Sequence, residues 1–565
     1  MNKTTIALFA VIALLLSRHT THAGSATWKS NPTSSNWNNA SNWTPGTVPN
    51  GPNDIATFGV TAGTSVSVTR TQTEVNSILF AATASPFTIT ADSGTLTLSG
   101  AGIANNSGTV QNFVANNLYN IGLHFENQAT AGSLNTFTAE NASVIAFDGG
   151  SSAGSGTFFI KGNQSFEDGT PGLTFNDNAT AANGTFVVTG GGEDAEGAVI
   201  TFNDSSSAGS GTFTNTADTD PAAYWGAITN FHDSSTAANS VITNEGGSGV
   251  QGDGGITQFW EDATGGEAII TAIGATDPEG IPGQIVFLGS AIAENATLIA
   301  NGGSNGGAGG LIQFRNTSST GQPRIELFGN GTLDVSNKTS GSMIIRSLEG
   351  DGIVLLGTNL VYVGSNTNPL STEFGGVIQG DGSIDKFGSA TLTLTGANTY
   401  TGGTTVTGGF LRVNNRTGSA TGSGPVVVES GATLGGAGVV TGLVTVSGTL
   451  APGTGATTLK VKKTLIMDGT YLCKVRTTSA KADKVMAGGV TLSSFDPPHF
   501  TGVAVGNSTL PPGTVFTVID NTSSNPISGT FGNLPDGGTI SIGRNTFQAN
   551  YEGGDGNDLT LTVVP

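Results

Sequence analysis

Seven segments headed by phenylalanine recur along the middle of the chain: FDGGSSAGSGTFFI from Phe147, FNDNATAANGTFVV from Phe175, FNDSSSAGSGTFTN from Phe202, FHDSSTAANSVITN from Phe231, FWEDATGGEAIITA from Phe259, FLGSAIAENATLIA from Phe287 and FRNTSSTGQPRIEL from Phe314. The intervals between them are 28, 27, 29, 28, 28 and 27 residues, and an irregular copy begins at Phe125, 22 residues before Phe147. A short unit of this kind cannot bury its own apolar face, so it has to stack on its neighbours. An apolar run precedes each Phe, as in Ala198-Val199-Ile200 or Gln284-Ile285-Val286, and a polar corner follows it. A second run comes after the corner, as in Thr185-Phe186-Val187-Val188. Two or more strands in such a unit match one turn of a parallel β-helix, with turns ~4.8 Å apart. Phe147, Phe175, Phe202, Phe231, Phe259, Phe287 and Phe314 then form a ladder inside the core.

Composition agrees with an all-β chain. Glycine accounts for 87 of 565 residues, about twice its usual share. Charged residues make up 11%, too few for a disordered polyelectrolyte. β-branched runs sit between Gly and Asn turns, and no amphipathic helix is legible after the first 20 residues. The formal charge of −20 comes without a basic stripe, which excludes nucleic acid as a partner and suits solubility outside a cell. Cys473 is the only cysteine, so no internal disulfide can form. Lys3 precedes an apolar run from Ile6 to Leu16, and Thr21-His22-Ala23 ends on a small residue. This predicts a secretory signal peptide over 1–23, cleaved after Ala23. No other run approaches the ~18 apolar residues of a spanning helix, so none is expected after cleavage.

Candidate chemistry falls at four places. Asp177, Asp204, Asp233 and Glu261 fall two residues after their Phe, with Gly289 and Asn316 in the same slot further on. A stack of carboxylates could hold cations, but Asp, Asn and Gly in one slot is the signature of a turn. Gly150 to Gly154 spells the G-x-S-x-G pattern of a nucleophile elbow, which requires a strand-to-helix turn and a His partner; here it is a repeat corner. His124, His232 and His499 are far apart and no His/Cys cluster has zinc spacing. A polysaccharide lyase or hydrolase remains a remote alternative, since a carboxylate column alone defines no cleft. The reading is a protein with no catalytic residues and no cofactor. Finally, GGDGNDLTL from Gly553 to Leu561 approximates a calcium-binding nonapeptide, with Asp555 and Asp558 as candidate ligands. It occurs once, and Thr560 stands where the pattern needs a large apolar residue. A Gly-Asp turn feeding a last strand is the expectation.

One motif carries a specific resemblance. IDKFGSATLTLTGANTYTGGTTVTGGFLRV, Ile384 to Val413, resembles the passenger-associated transport repeat, also called the autotransporter-associated β-strand repeat. Lys386, Gly388, Leu392, Leu394, Gly396, Asn398, Thr399, Tyr400, Gly402, Thr404, Val406, Gly409 and Leu411 fall in its register, and Ala390 stands in place of the family's second Gly. The Trp-rich segment Ala26 to Gly59 and the last ~100 residues are also similar to proteins carrying this repeat. The resemblance implies an exported bacterial passenger with a right-handed parallel β-helix fold, the repeat assisting folding and secretion. Only about 110 residues follow Gly453, too few for the membrane barrel of an autotransporter, so a separate exporter is expected.

The domains expected are a signal peptide (1–23), an N-terminal Trp-rich cap with the first rungs (24–100), a β-helix of ~28-residue rungs (101–345), a β-helix containing the strand repeat at 384–413 (346–455), and a C-terminal β capping module (456–565). The function expected is an exported structural or surface scaffold, with an adhesin or glycan-binding passenger-like protein as the alternative. Surface glycans, envelope components and the export machinery are the partners to expect. The location is extracellular or cell-surface, with the periplasm as the alternative. Lys460 to Lys463 and Lys474 to Lys484 gather positive charge that solvates strand faces or meets an anionic surface.

Overall fold

The computed structural model describes residues 24–163, 169–192, 195–218, 226–249, 252–319, 321–339 and 341–565. The signal-peptide assignment lies outside these residues. The chain divides into two compact units, Met1–Ile160 with Gly169–Thr185, and Lys161–Asp168 with Phe186–Pro565. Among the described residues the single helical element is the 3-10 turn Ala40–Asn42, and no helix is long and apolar enough to cross a membrane. The fold is all-β, a parallel β-solenoid.

In the first unit, Gly51–Phe58, Gln72–Phe80, Thr95–Asn105, Ile121–Phe125, Val144–Phe147 and Gly172–Phe175 pair in parallel, one per turn. A second ladder runs through Ser65–Val68, Thr88–Ala91, Gln111–Ala115, Ser133–Ala139 and Ser155–Ile160. The open end is covered. Ala26–Trp28 pairs antiparallel with Trp43–Thr44 and parallel with Gly51–Phe58. Trp28, Trp37 and Trp43 are almost wholly buried and meet Phe58 with ring centroids 5.6–6.0 Å apart. Their indole nitrogens donate to backbone carbonyls of Gly63, Pro49 and Trp37, so these large rings are buried without leaving a donor unpaired.

In the second unit the phenylalanine period becomes a physical stack. Phe202, Phe231, Phe259, Phe287 and Phe314 are cross-strand partners. Their rings lie 4.5–4.7 Å apart and within 6° of parallel. Phe125, Phe147 and Phe175 stack likewise in the first unit, at 4.5 and 4.9 Å. All are fully buried, each contributing about 2–3 kcal/mol from burial and about 0.5–1.5 kcal/mol more from ring contact. The strand opposite alternates buried and open positions, as in Thr212–Asn215 and Val241–Asn244. There the inward position holds Asn. Asn215 Nδ2 donates to Asn244 Oδ1 at 2.7 Å, and Thr229 and Thr257 donate to Asn215 Oδ1 and Asn244 Oδ1. An interior polar stack is thereby largely satisfied across turns.

Turn length is less uniform than a ~28-residue rung throughout. Thr391 pairs with Phe410, Phe410 with Thr433 and Thr433 with Thr449, so these turns take 19, 23 and 16 residues. The longer turns carry extra Gly-rich excursions such as Gly274–Gly283 and Gly302–Gly310. These excursions stack so closely that a Cβ on Gly274 would lie 2.3 Å from the Gly303 nitrogen. The short turns omit them and keep only the strands.

The C-terminal end changes from parallel to antiparallel pairing. Lys484–Ala487 pairs in parallel with Val515–Asn521, which then pairs antiparallel with Asp558–Val564; that strand pairs with Asn545–Gly553, and Asn545–Gly553 with Thr539–Ile542. This small β module caps a ladder whose free edge would otherwise invite further strands.

Candidate functional site

The corner after each Phe is set by backbone conformation. The residue two places on is left-handed in every copy: Asn127, Asp177, Asp204, Asp233, Glu261 and Asn316 have φ between 48° and 58°, and Gly149 and Gly289 have 67° and 59°. Asn, Asp and Gly are the residues that tolerate this region. The residue seven places on is left-handed too, at Gly154, Ala182, Gly209, Ala238, Gly266, Glu294 and Gly321. Between them, Ser152, Thr180, Ser207 and Thr236 accept a hydrogen bond from the N–H two residues later, at 3.0–3.1 Å. The carboxylates serve the same corners. Asp177 Oδ2 accepts from the Gly149 N–H at 2.9 Å, and Asp233 Oδ2 from the Asp204 N–H at 3.1 Å. The G-x-S-x-G stretch is one of these corners, with Gly154 at its left-handed position.

His124 and His232 are held by acids. His124 Nε2 lies 2.5 Å from Asp148 Oδ2 and its Nδ1 lies 3.2 Å from Glu126 Oε1. Both of its ring nitrogens thus face carboxylates of the chain itself. His232 Nδ1 sits 3.3 Å from Glu261 Oε2, and its ring stacks on Trp260.

The segment Ile384–Val413 is built differently from the Phe corners. Its two halves stack on each other: Ile384 pairs with Thr404 and Lys386 with Val406, while Leu392 pairs with Leu411 and Leu394 with Val413. Leu392, Leu394, Tyr400 and Leu411 form the buried interior of these two turns. Two polar side chains, Lys386 and Asn398, bond to backbone groups of neighbouring turns. Lys386, 1% exposed, donates to the carbonyls of Phe387 at 2.7 Å, Gly388 at 3.2 Å and Gly408 at 3.1 Å. An ammonium has three donors, and each has a carbonyl here. Burial pulls the Lys386 ammonium down to about 8, and Asp385 opposes that shift. Asn398 reaches two further turns: Oδ1 accepts from the Ile378 N–H at 2.8 Å, and Nδ2 donates to the Ala420 carbonyl at 2.5 Å. The Tyr400 hydroxyl lies 2.6 Å from Thr404 Oγ1 with no exposure, and burial pushes its phenol upward. Gly388 is left-handed, and a Cβ on Gly396 would lie 1.9 Å from the Gly376 carbonyl oxygen; Gly402 approaches the Gly382 carbonyl in the same manner. Ala390 is buried. It is tolerated because its backbone is not left-handed.

Gly553 to Leu561 is a hairpin turn between Asn545–Gly553 and Asp558–Val564, with Gly553 paired to Asp558. Asp558 is buried and its Oδ1 accepts from the Asn521 N–H at 2.9 Å, whereas Asp555 is exposed. Burial raises the Asp558 carboxyl. The geometry commits Asp558 to the backbone of the neighbouring strand. Among the described residues no group of three or more His, Cys, Asp or Glu is placed to hold a metal ion.

These features define a parallel β-solenoid with a self-stacked repeat whose side chains join three successive turns. Residues 384–413 match the family Passenger-associated-transport-repeat, so the chain carries one such repeat. No curated protein matches the chain. Among solved structures, the crystal structure of the Haemophilus influenzae Hap adhesin is similar, at 10% identity and a TM-score of 0.30, over 90% of this chain. The chain spans 63% of that protein's length.

The resemblance singled out Lys386 and Asn398, but neither resemblance nor spacing revealed their partners. Asn215 and Asn244 belong to no motif, although Asn at an inward position of the run Val241-Ile242-Thr243-Asn244 is a signal of a polar interior.

Proposed function

We propose that this chain is an exported protein whose β-solenoid serves as an envelope or extracellular scaffold, with no catalysis of its own. The transport repeat at 384–413 supports this reading. Its polar side chains are spent on backbone groups of neighbouring turns, which is what a segment that consolidates a folding solenoid requires. Export machinery is then the first partner, and surface glycans or envelope components are the later ones. The test is expression with its own leader in a diderm bacterium, followed by fractionation and protease shaving of intact cells. Protein confined to the cytoplasm would overturn the proposal. Turnover of any glycan by purified protein, lost in Asp177→Asn, Asp204→Asn or Asp233→Asn, would overturn the non-catalytic part.

A second reading, an adhesin-like protein, is favoured by one observation. Between Lys386 and Lys484 the sequence holds ten Lys or Arg against three acids, in a chain of net charge −20. A local positive region on an acidic protein favours contact with anionic surfaces.

A further inference from the structure

We propose that the outer face beside Arg412 and Lys474 is a binding groove for a carboxylate-bearing sugar of an acidic polysaccharide. This rests on the adhesin-like reading and names its ligand class.

The groove follows from register. Arg412 pairs with Gly435, and Gly435 with Ala451. At that register position two successive turns therefore present nothing larger than a methyl, where the preceding turn presents Arg412. The gap is a cavity of about 290 Å³, bordered by Phe410, Arg412 and Asn414 on one side and by Pro452, Thr457 and Lys474 on the other. That is near the lower limit for ligand pockets and suits one sugar ring rather than a protein segment.

The cations are placed and available. The Arg412 guanidinium lies over the Phe410 ring, 5.0 Å from its centroid, which orients it without neutralising it. Among the described residues no ion pair engages Arg412 or Lys474. Lys474 Nζ donates to the Gly453 carbonyl at 2.8 Å, leaving two of its three donors. None of the residues lining the groove is acidic. A guanidinium fork matches a carboxylate in a bidentate pair, and Asn414 and Thr454 supply partners for sugar hydroxyls.

The far wall is held in place. Buried Asp483 accepts through Oδ1 from the N–H groups of Gly455 at 2.7 Å and Thr457 at 3.0 Å. Arg476 donates to the Thr454 carbonyl at 3.0 Å. A loop fixed by side chains loses little freedom when a ligand arrives. Asp483 is a positioning residue here.

The test is calorimetric titration of the purified chain without residues 1–23, using a short oligogalacturonate, with a neutral oligosaccharide of equal length as control. The acidic oligomer should bind and the neutral one should not. Arg412→Gln and Lys474→Ala should each weaken binding about tenfold, as expected for loss of a charge-assisted contact. Lys463→Ala, outside the groove, should leave binding unchanged, and melting curves establish that each variant is folded. No binding of the acidic oligomer, equal binding of the neutral one, or an equal loss in Lys463→Ala would each overturn the proposal. A chain that protease shaving places on the cell surface but that ignores uronates loses only this ligand assignment.

Discussion

Lys386 and Gly408 lie 22 residues apart, and the ammonium of the first donates to the carbonyl of the second at 3.1 Å. The same nitrogen holds the Phe387 and Gly388 carbonyls of its own turn, so one side chain joins two turns of the transport repeat. Replacing it with an isosteric apolar chain leaves those carbonyls behind. Lys386→Met should therefore destabilise the protein by about 1–3 kcal/mol, the cost of stranding buried polar groups. Equilibrium denaturation measures this, and export yield should fall with it if the repeat consolidates the solenoid during secretion.

Asn398 needs both ends of its amide. Asn398→Asp keeps an acceptor for the Ile378 N–H but loses the donor to Ala420 and faces that carbonyl with negative charge. It should be more destabilising than Asn398→Ala, which itself should cost about 1–3 kcal/mol. Thermal melts of the two variants against the parent decide the order.

The left-handed corners provide a stabilising change. Ala182 and Ala238 have φ of 48° and 49°, a region in which a Cβ costs about 1–2 kcal/mol. Glycine removes that strain but loosens the unfolded chain, so Ala182→Gly and Ala238→Gly should each stabilise by about 0.5–1 kcal/mol. The same change at Ala179, buried beside the corner with no positive φ, should destabilise.

Asp253 makes stability depend on pH. Burial, then repulsion from Asp218, raises its carboxyl from 3.8 to about 6. The folded state therefore holds the Asp253 proton more tightly than the unfolded chain does. Its relative contribution to stability is full below pH 3.8 and is lost as pH rises through about 6. At neutral pH the ionised group opposes folding. Asp253→Asn should melt higher than the parent at pH 7.5, and the difference should close as the buffer approaches pH 4.

The Phe ladder should be intolerant of truncation. Phe259 stacks on Phe231 and Phe287 at 4.7 and 4.5 Å. Phe259→Ala opens a cavity within a stack that cannot close from either side, costing about 3–5 kcal/mol. Chemical denaturation should also show a smaller loss for Phe259→Leu.

Much of the fold was legible because the controlling physics is local. A Phe every 27 to 29 residues, apolar runs of strand period and Gly-rich corners specify what each turn is made of. The corner slot held by Asp, Asn and Gly was readable as a turn for the same reason, since left-handed backbone selects those residues wherever they lie. The transport repeat was readable as a motif. What its polar residues do was not, because Lys386 and Asn398 bond to carbonyls and N–H groups of any residue type, which leave no mark in sequence.

The sequence alone thus determined the strand content, the stacking ladder and the conformation of its corners. The tertiary structure decided which turn lies against which. That depends on turn lengths as different as 16 and 29 residues, and loop closure tolerates such variation at small entropic cost. Register then places Arg412 beside Gly435, Lys386 against Gly408 and Asn398 between Ile378 and Ala420. These contacts follow from chain closure, which no local pattern encodes.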